Sequence, residues 1–175
     1  MPLDGVGIRR ADSADYAALI GLNAEPLLGA HWHIQWQERL LANDVFTYLV
    51  EAETIFGFVT AGPSLLMDAD VGEVCGLFLS PLYRGSGMGK KLLVRGLSVL
   101  KRRGFGRAVI FVDSLYGNGS LLAGGAETTV RAESHALESL LVGLGFVPEM
   151  GEREIHYRGA TFRQVGHCLD LEGYF

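Results

Sequence analysis

A chain of 175 residues, 49% hydrophobic and 20% charged, can bury one substantial core and is too apolar to be disordered. Its 15 basic and 20 acidic residues leave a net charge of −5, which argues against a general nucleic-acid binder, and no apolar run nears the roughly 20 residues of a membrane span. Two cysteines, Cys75 and Cys168, make no disulfide framework. With no leader-like apolar run at the N-terminus, the expected compartment is the cytoplasm, and residues 1–175 are expected to form one domain.

In chain order, residues 6–10 read as a first strand. Asp12, Ser13 and Asp15 then supply an N-cap and an acidic first turn for a helix over 16–22. A second helix is expected over 33–42, approached through His31, Trp32 and His33. Residues 45–51 and 55–61 are rich in Val, Phe, Ile and Thr and read as a hairpin ended by Gly62 and Pro63. A loop over 64–70 leads to Glu73 and an apolar strand over 74–79, in which Cys75 is core filling. After the glycine turn described below, a helix carries Leu93, Leu97 and Leu100 in one row and Lys91, Arg95, Ser98 and Arg102 in another. A buried strand over 105–113 follows. Residues 115–129 are glycine-rich and aperiodic, a length of loop that tends to be functional. A helix over 131–144 presents Leu137, Leu140, Leu141 and Leu144 on one face. A strand start at 146–148 and a last hairpin, 154–157 with 161–170, complete the chain.

The densest signal lies at 73–103. Ser80 and Pro81 stop the apolar strand, because proline offers no backbone donor to a sheet. Then come Arg84, Gly85, Ser86, Gly87, Met88 and Gly89, followed by the amphipathic helix. A strand, a glycine turn and a helix start aim backbone N–H groups at one point and let an anion approach the main chain. Charge agrees: residues 74–112 hold eight Lys or Arg and no acid, and the rest of the chain carries a net −13. A nucleoside-triphosphate loop is excluded, since Arg84 stands where its first glycine belongs and Lys91 where its hydroxyl belongs. A dinucleotide fingerprint fails too, because Gly89 follows Gly87 by only two residues.

The remaining pattern, Arg-x-x-Gly-x-Gly behind an apolar strand, resembles the acetyl-CoA-binding signature of the GNAT N-acetyltransferase superfamily. The order β-α-α-β-β-β-α-β-α-β-β is similar to that family's architecture from end to end. The resemblance implies an α/β (α+β) fold with a mixed, mostly antiparallel sheet of about seven strands and about four helices, splayed between the fourth and fifth strands. It implies acetyl transfer from acetyl-CoA directly to a primary amine, on a small molecule or a peptide. By the same resemblance, the backbone of Leu77, Phe78 and Leu79 would hold pantetheine. Residues Arg84, Gly85, Ser86, Gly87, Met88 and Gly89 would hold the diphosphate, assisted by Lys90. Dimers are frequent in the family, so a homodimer is an allowed assembly.

Amine acetylation requires a proton acceptor, and Glu73, eleven residues before Arg84, resembles the family's catalytic glutamate. Asp68 and Asp70 are weaker alternatives. The family's Tyr that protonates the leaving thiolate is absent: Leu141 stands there, with Ser134 at the motif's Asn. Tyr116, Ser134 or His135 could substitute, or the thiolate could leave unaided, and Asn118 could replace the missing Asn as a pantetheine contact. His31, Trp32 and Trp36 lie where the family places its acceptor-binding helices, and a Trp face can receive a cation. The histidines show no metal-ligand spacing, and no metal or nucleic acid is expected. Two rival readings remain: an acyl-CoA-binding regulatory module of the same fold, and an interaction domain that uses the basic helix.

Overall fold

The computed structural model describes residues 5–22, 39–65, 68–113, 126–157 and 160–174. Seven strands form one sheet: β1 (Gly7–Arg10), β2 (Phe46–Glu51), β3 (Ile55–Pro63), β4 (Val71–Leu79), β5 (Arg107–Asp113), β6 (Glu152–Tyr157) and β7 (Ala160–Asp170). Their order is β1-β2-β3-β4-β5-β7-β6, and every neighbouring pair is antiparallel except β4 with β5. The described residues include three helices: α1 (Tyr16–Leu22), α2 (Met88–Arg102) and α3 (Ala126–Gly143). Of the helix expected over 33–42, Arg39 and Leu40 are helical, and 33–38 lie outside the described residues. This is the mixed, mostly antiparallel α/β fold expected from the sequence. No helix among the described residues is long and apolar enough to cross a membrane.

Local chemistry explains the best-defined helices. Ahead of α1, the Asp12 carboxylate accepts the Ala14 amide while the Asp15 carboxylate accepts the Asp12 amide, a reciprocal cap. Arg9 on β1 grips Asp15 with two N–H bonds of 2.7 and 2.8 Å, tying the cap to the sheet edge. That contact holds the Asp15 carboxyl below the usual carboxylate range. On α2, Leu92, Leu93, Leu97 and Leu100 are fully buried against one face of the sheet. Gly72 lets the helix come close, since a Cβ there would lie 2.6 Å from Leu100 Cδ2.

The opposite face of the sheet is partly polar. Strand alternation puts Leu49 and Thr47 of β2, Phe58 and Thr60 of β3, Glu73 of β4, and Val109 and Phe111 of β5 on it together. Leu19 of α1 and Leu40 pack on Leu49 and Phe58, while Val71, Val109 and Phe111 form a separate apolar cluster. The Thr47 and Thr60 hydroxyls bond each other at 3.0 Å in the buried ground beside them.

Four of the differences from the sequence reading stand out. β3 continues through Gly62 and Pro63, because β2 has already ended opposite Ala61 and the amide that proline lacks faces no strand. β4 begins at Val71, so Glu73 is its third residue and is buried, not a solvated residue at a strand start. α3 begins at Ala126, taking 126–129 from the expected loop. Residues 146–148 make only one bridge, Val147 to Cys168.

Candidate active site at the parting of two strands

β4 and β5 pair over three residues only, Val71 with Arg107, Gly72 with Ala108, and Glu73 with Val109. Beyond Glu73 the two strands separate, β4 continuing beside β3 and β5 beside β7. The cause is local. Thr60 stands opposite Gly76 and Ala61 opposite Val74, so Cys75 is an extra residue, a bulge that bends β4. Among the described residues, the parting leaves one edge of β4 over 74–79 without a pairing strand, and Glu73 sits at its root.

At the far end of that edge is the glycine turn. Ser80 and Pro81 begin a single 3-10 turn, and the Tyr83 ring stacks on Phe56 of β3 at 3.8 Å, fixing the turn to the sheet. Gly85 and Gly87 adopt φ of +74° and +80°, a region that side chains disfavour, and a Cβ on either would project into open space. Among the described residues, the amides of Gly85, Ser86, Gly87, Gly89 and Lys90 have no protein acceptor. The Ser86 hydroxyl donates to the Tyr83 carbonyl and accepts the Met88 amide, so it braces the turn. Arg84 folds back, its Nε donating 3.2 Å to the Leu79 carbonyl. Met88 is buried in the core under α2, and Lys90 is exposed. Free amides, open space above two glycines, a helix N-terminus without acid in its first turn and nearby cations fit a diphosphate.

Leu77, Phe78 and Leu79 are half-buried on the open edge. Leu77 and Leu79 pack on the α2 side, while Phe78 stacks on Phe58 on the other. Cys75 is buried, its Sγ 3.5 Å from the Thr60 carbonyl, and burial pushes the thiol up to about 12. Such a thiol stays protonated, so it fills the core as expected and is no nucleophile at neutral pH.

Glu73 is 5% exposed, yet both carboxylate oxygens are engaged. Oε2 accepts the Ser64 hydroxyl at 3.1 Å, and Oε1 lies 3.5 Å from Arg153 Nη1. Arg153 is held in turn: its Nε donates 2.7 Å to Gln164 Oε1, and its guanidinium lies 3.7 Å over the Phe111 ring. The sequence reading missed Ser64, Arg153 and Gln164. The one available signal was alternation in the last hairpin, which puts Arg153 opposite Gln164 on one face. Asp68 and Asp70, the alternative bases, are exposed and meet Arg107 instead, so they are not part of the parting.

Leu141 is fully buried in the core, so the position matching the family's Tyr offers no proton donor. His135 is exposed on α3. Ser134 is on α3, but its side chain lies outside the described residues, as do Tyr116, Asn118, His31, Trp32 and Trp36 altogether. Among the described residues, no three His, Cys, Asp or Glu gather as a metal site.

Residues 16–120 match the profile of the Acetyltransferase (GNAT) family, and the chain belongs to that family. No curated protein sequence matches it. The fold is similar to yncA of Salmonella typhimurium, solved with its cofactor acetyl-CoA: TM-score 0.69, 20% identity, 98% of this chain and 96% of that one. It is similar to the ribosomal-protein-S18-alanine N-acetyltransferase of Escherichia coli, with TM-score 0.66, 15% identity and coverage of 97% and 99%. Mutant forms of the spermidine/spermine N-acetyltransferase SpeG of Vibrio cholerae give TM-score 0.66, 15% identity and coverage of 97% and 96%.

Proposed function

We propose that this chain is an N-acetyltransferase that moves an acetyl group from acetyl-CoA directly to a primary amine, acting as one domain over 1–175. The observation that carries the reading is the parting of β4 from β5 at Glu73, with a turn of unbonded amides at the other end of the open edge. Acetyl-CoA would supply an activated acetyl thioester. The amides of residues 85–90 and the positive end of α2 would hold its diphosphate. The edge at Leu77, Phe78 and Leu79 would receive the pantetheine arm as an added strand.

An alkyl ammonium with a pKa near 10 is neutral about one time in a thousand at pH 7, a deficit of about 4 kcal/mol. On our reading Glu73 accepts that proton, directly or through water, at the root of the parting. Its clamp by Ser64 and Arg153 fixes where the carboxylate stands before the acceptor arrives. Backbone amides near the Cys75 bulge would polarise the thioester carbonyl. With Leu141 unable to donate, the thiolate would leave unaided or take a proton from Tyr116 or Ser134. A thiol pKa of about 8.5 makes either route practicable. Asn118 would then contact pantetheine, and His31, Trp32 and Trp36 would line the amine pocket.

Thiol release measured with acetyl-CoA and panels of amino acids, peptides, polyamines and aminoglycosides tests this. The reading requires release that depends on one class of amine and falls at least a hundredfold in Glu73→Gln. A second reading, a CoA-binding module without turnover, is favoured by one observation, the buried Leu141 where a proton donor is usual in the family. CoA binding with no release on any amine would decide for it.

A further inference from the structure

Arg39 enters the buried polar face beside Glu73 and has no counter-charge among the described residues. It is 8% exposed, and its Nε–H is buried with no acceptor. Its one hydrogen bond among the described residues runs from Nη2 to the Pro63 carbonyl. The next residue, Ser64, holds the Glu73 carboxylate. Gly62, directly opposite Glu73, makes the room: a Cβ there would lie 3.2 Å from Arg39 Nη2. Glu73 itself is engaged by Ser64 and Arg153, and among the described residues no carboxylate stands within 4 Å of Arg39.

A guanidinium taken out of water without an anion is strongly destabilising, so a site that keeps one is built for a charge it does not itself contain. The free Nε–H lies on the same edge of the guanidinium as Nη2, and Pro63 takes one of the two Nη2 hydrogens. Two parallel N–H groups on one edge form the fork that matches the two oxygens of a carboxylate. We infer that the acceptor is an amino acid or another amine carrying a carboxylate, and that Arg39 binds that carboxylate beside Glu73. This rests on the transferase reading and names its substrate class. The Arg39 cation opposes a polyamine, which would bring further positive charge.

The test uses calorimetry on the full chain saturated with CoA, titrated with the common L-α-amino acids and β-alanine, each against its own amide, and with spermidine. At least one acid should bind about ten- to a hundredfold tighter than its amide, with spermidine weaker still. Arg39→Gln should erase the preference, and Arg39→Lys, which keeps the charge without the fork, should retain part of it. Equal affinity for acid and amide in the unmodified protein, or binding of no amino acid, overturns the inference without relying on any variant's folding. So does an Arg39→Gln protein that melts normally and loses acid and amide equally. Thiol release separates the two claims. A carboxylate preference in binding without release contradicts the transferase reading alone, and release without a carboxylate preference contradicts the role of Arg39 alone.

Discussion

Glu73 on β4 and Arg153 on β6 form an ion pair of 3.5 Å although β5 and β7 lie between their strands. Arg153 spans the gap by lying across the Phe111 ring of β5 and anchoring on Gln164 of β7. The candidate base is therefore positioned by a side chain from the far edge of the sheet. Both groups are largely buried, so removing one strands the other. Arg153→Met should cost about 3 kcal/mol in chemical denaturation, and adding Glu73→Gln should recover part of that loss. A single variant within about 0.5 kcal/mol of the unmodified protein would mean that the pair is not formed.

Gly87→Ala separates backbone strain from ligand space. At φ +80° an alanine is strained by about 1 kcal/mol, and the Cβ would occupy open space above the turn. Thermal melting should register a modest loss while CoA affinity drops at least tenfold. A variant that melts lower but binds CoA normally would remove the turn from the site.

Gly72→Ala tests how α2 is seated. Its Cβ would meet Leu100 Cδ2 at 2.6 Å within the main core, so either the helix or Leu100 must shift. Overpacking of this kind costs about 2 kcal/mol, readable as a lowered denaturation midpoint. Pairing it with Leu100→Ala should relieve the clash and make the two costs less than additive.

Cys75 gives stability a slope in alkali. Its thiol rises from the ordinary 9.0 to about 12 on burial. Between those values the unfolded chain has lost the proton while the folded chain retains it, so the folded state binds more protons and stability falls as pH rises. The full effect is on the order of 4 kcal/mol, and below pH 9 it vanishes. Burial also raises the Cys168 thiol, which adds in the same direction. Denaturation of the Cys75→Ala protein should show a flatter decline from pH 9 upward. Parallel declines in the two proteins would contradict the assignment.

What the sequence disclosed was local chemistry. The Asp12 and Asp15 cap, the leucine row of α2, and the strand, stop and glycine turn each lie within a few residues, where spacing determines structure. The environment of Glu73 was hidden because Ser64, Arg39, Arg153 and Gln164 come from separate segments that only the folded sheet and what packs on it bring near it. The start of α3 was hidden for another reason. Residues 126–130 follow a glycine-rich run and include Thr128, Thr129 and Val130, β-branched residues of low helix propensity, so the sequence there does not read as helix. The parting itself depends on the Cys75 bulge, and a bulge leaves no mark in hydrophobic alternation that a buried apolar strand would reveal.

The measurement closest to the central claim follows the backbone amides themselves. Amide resonances of an isotope-labelled sample, recorded as CoA is added, should move most at Gly85, Ser86, Gly87, Gly89 and Lys90 and along 74–79, and little on β1 or α1. Binding that leaves the glycine-turn amides unmoved, or no binding at all, would contradict the account.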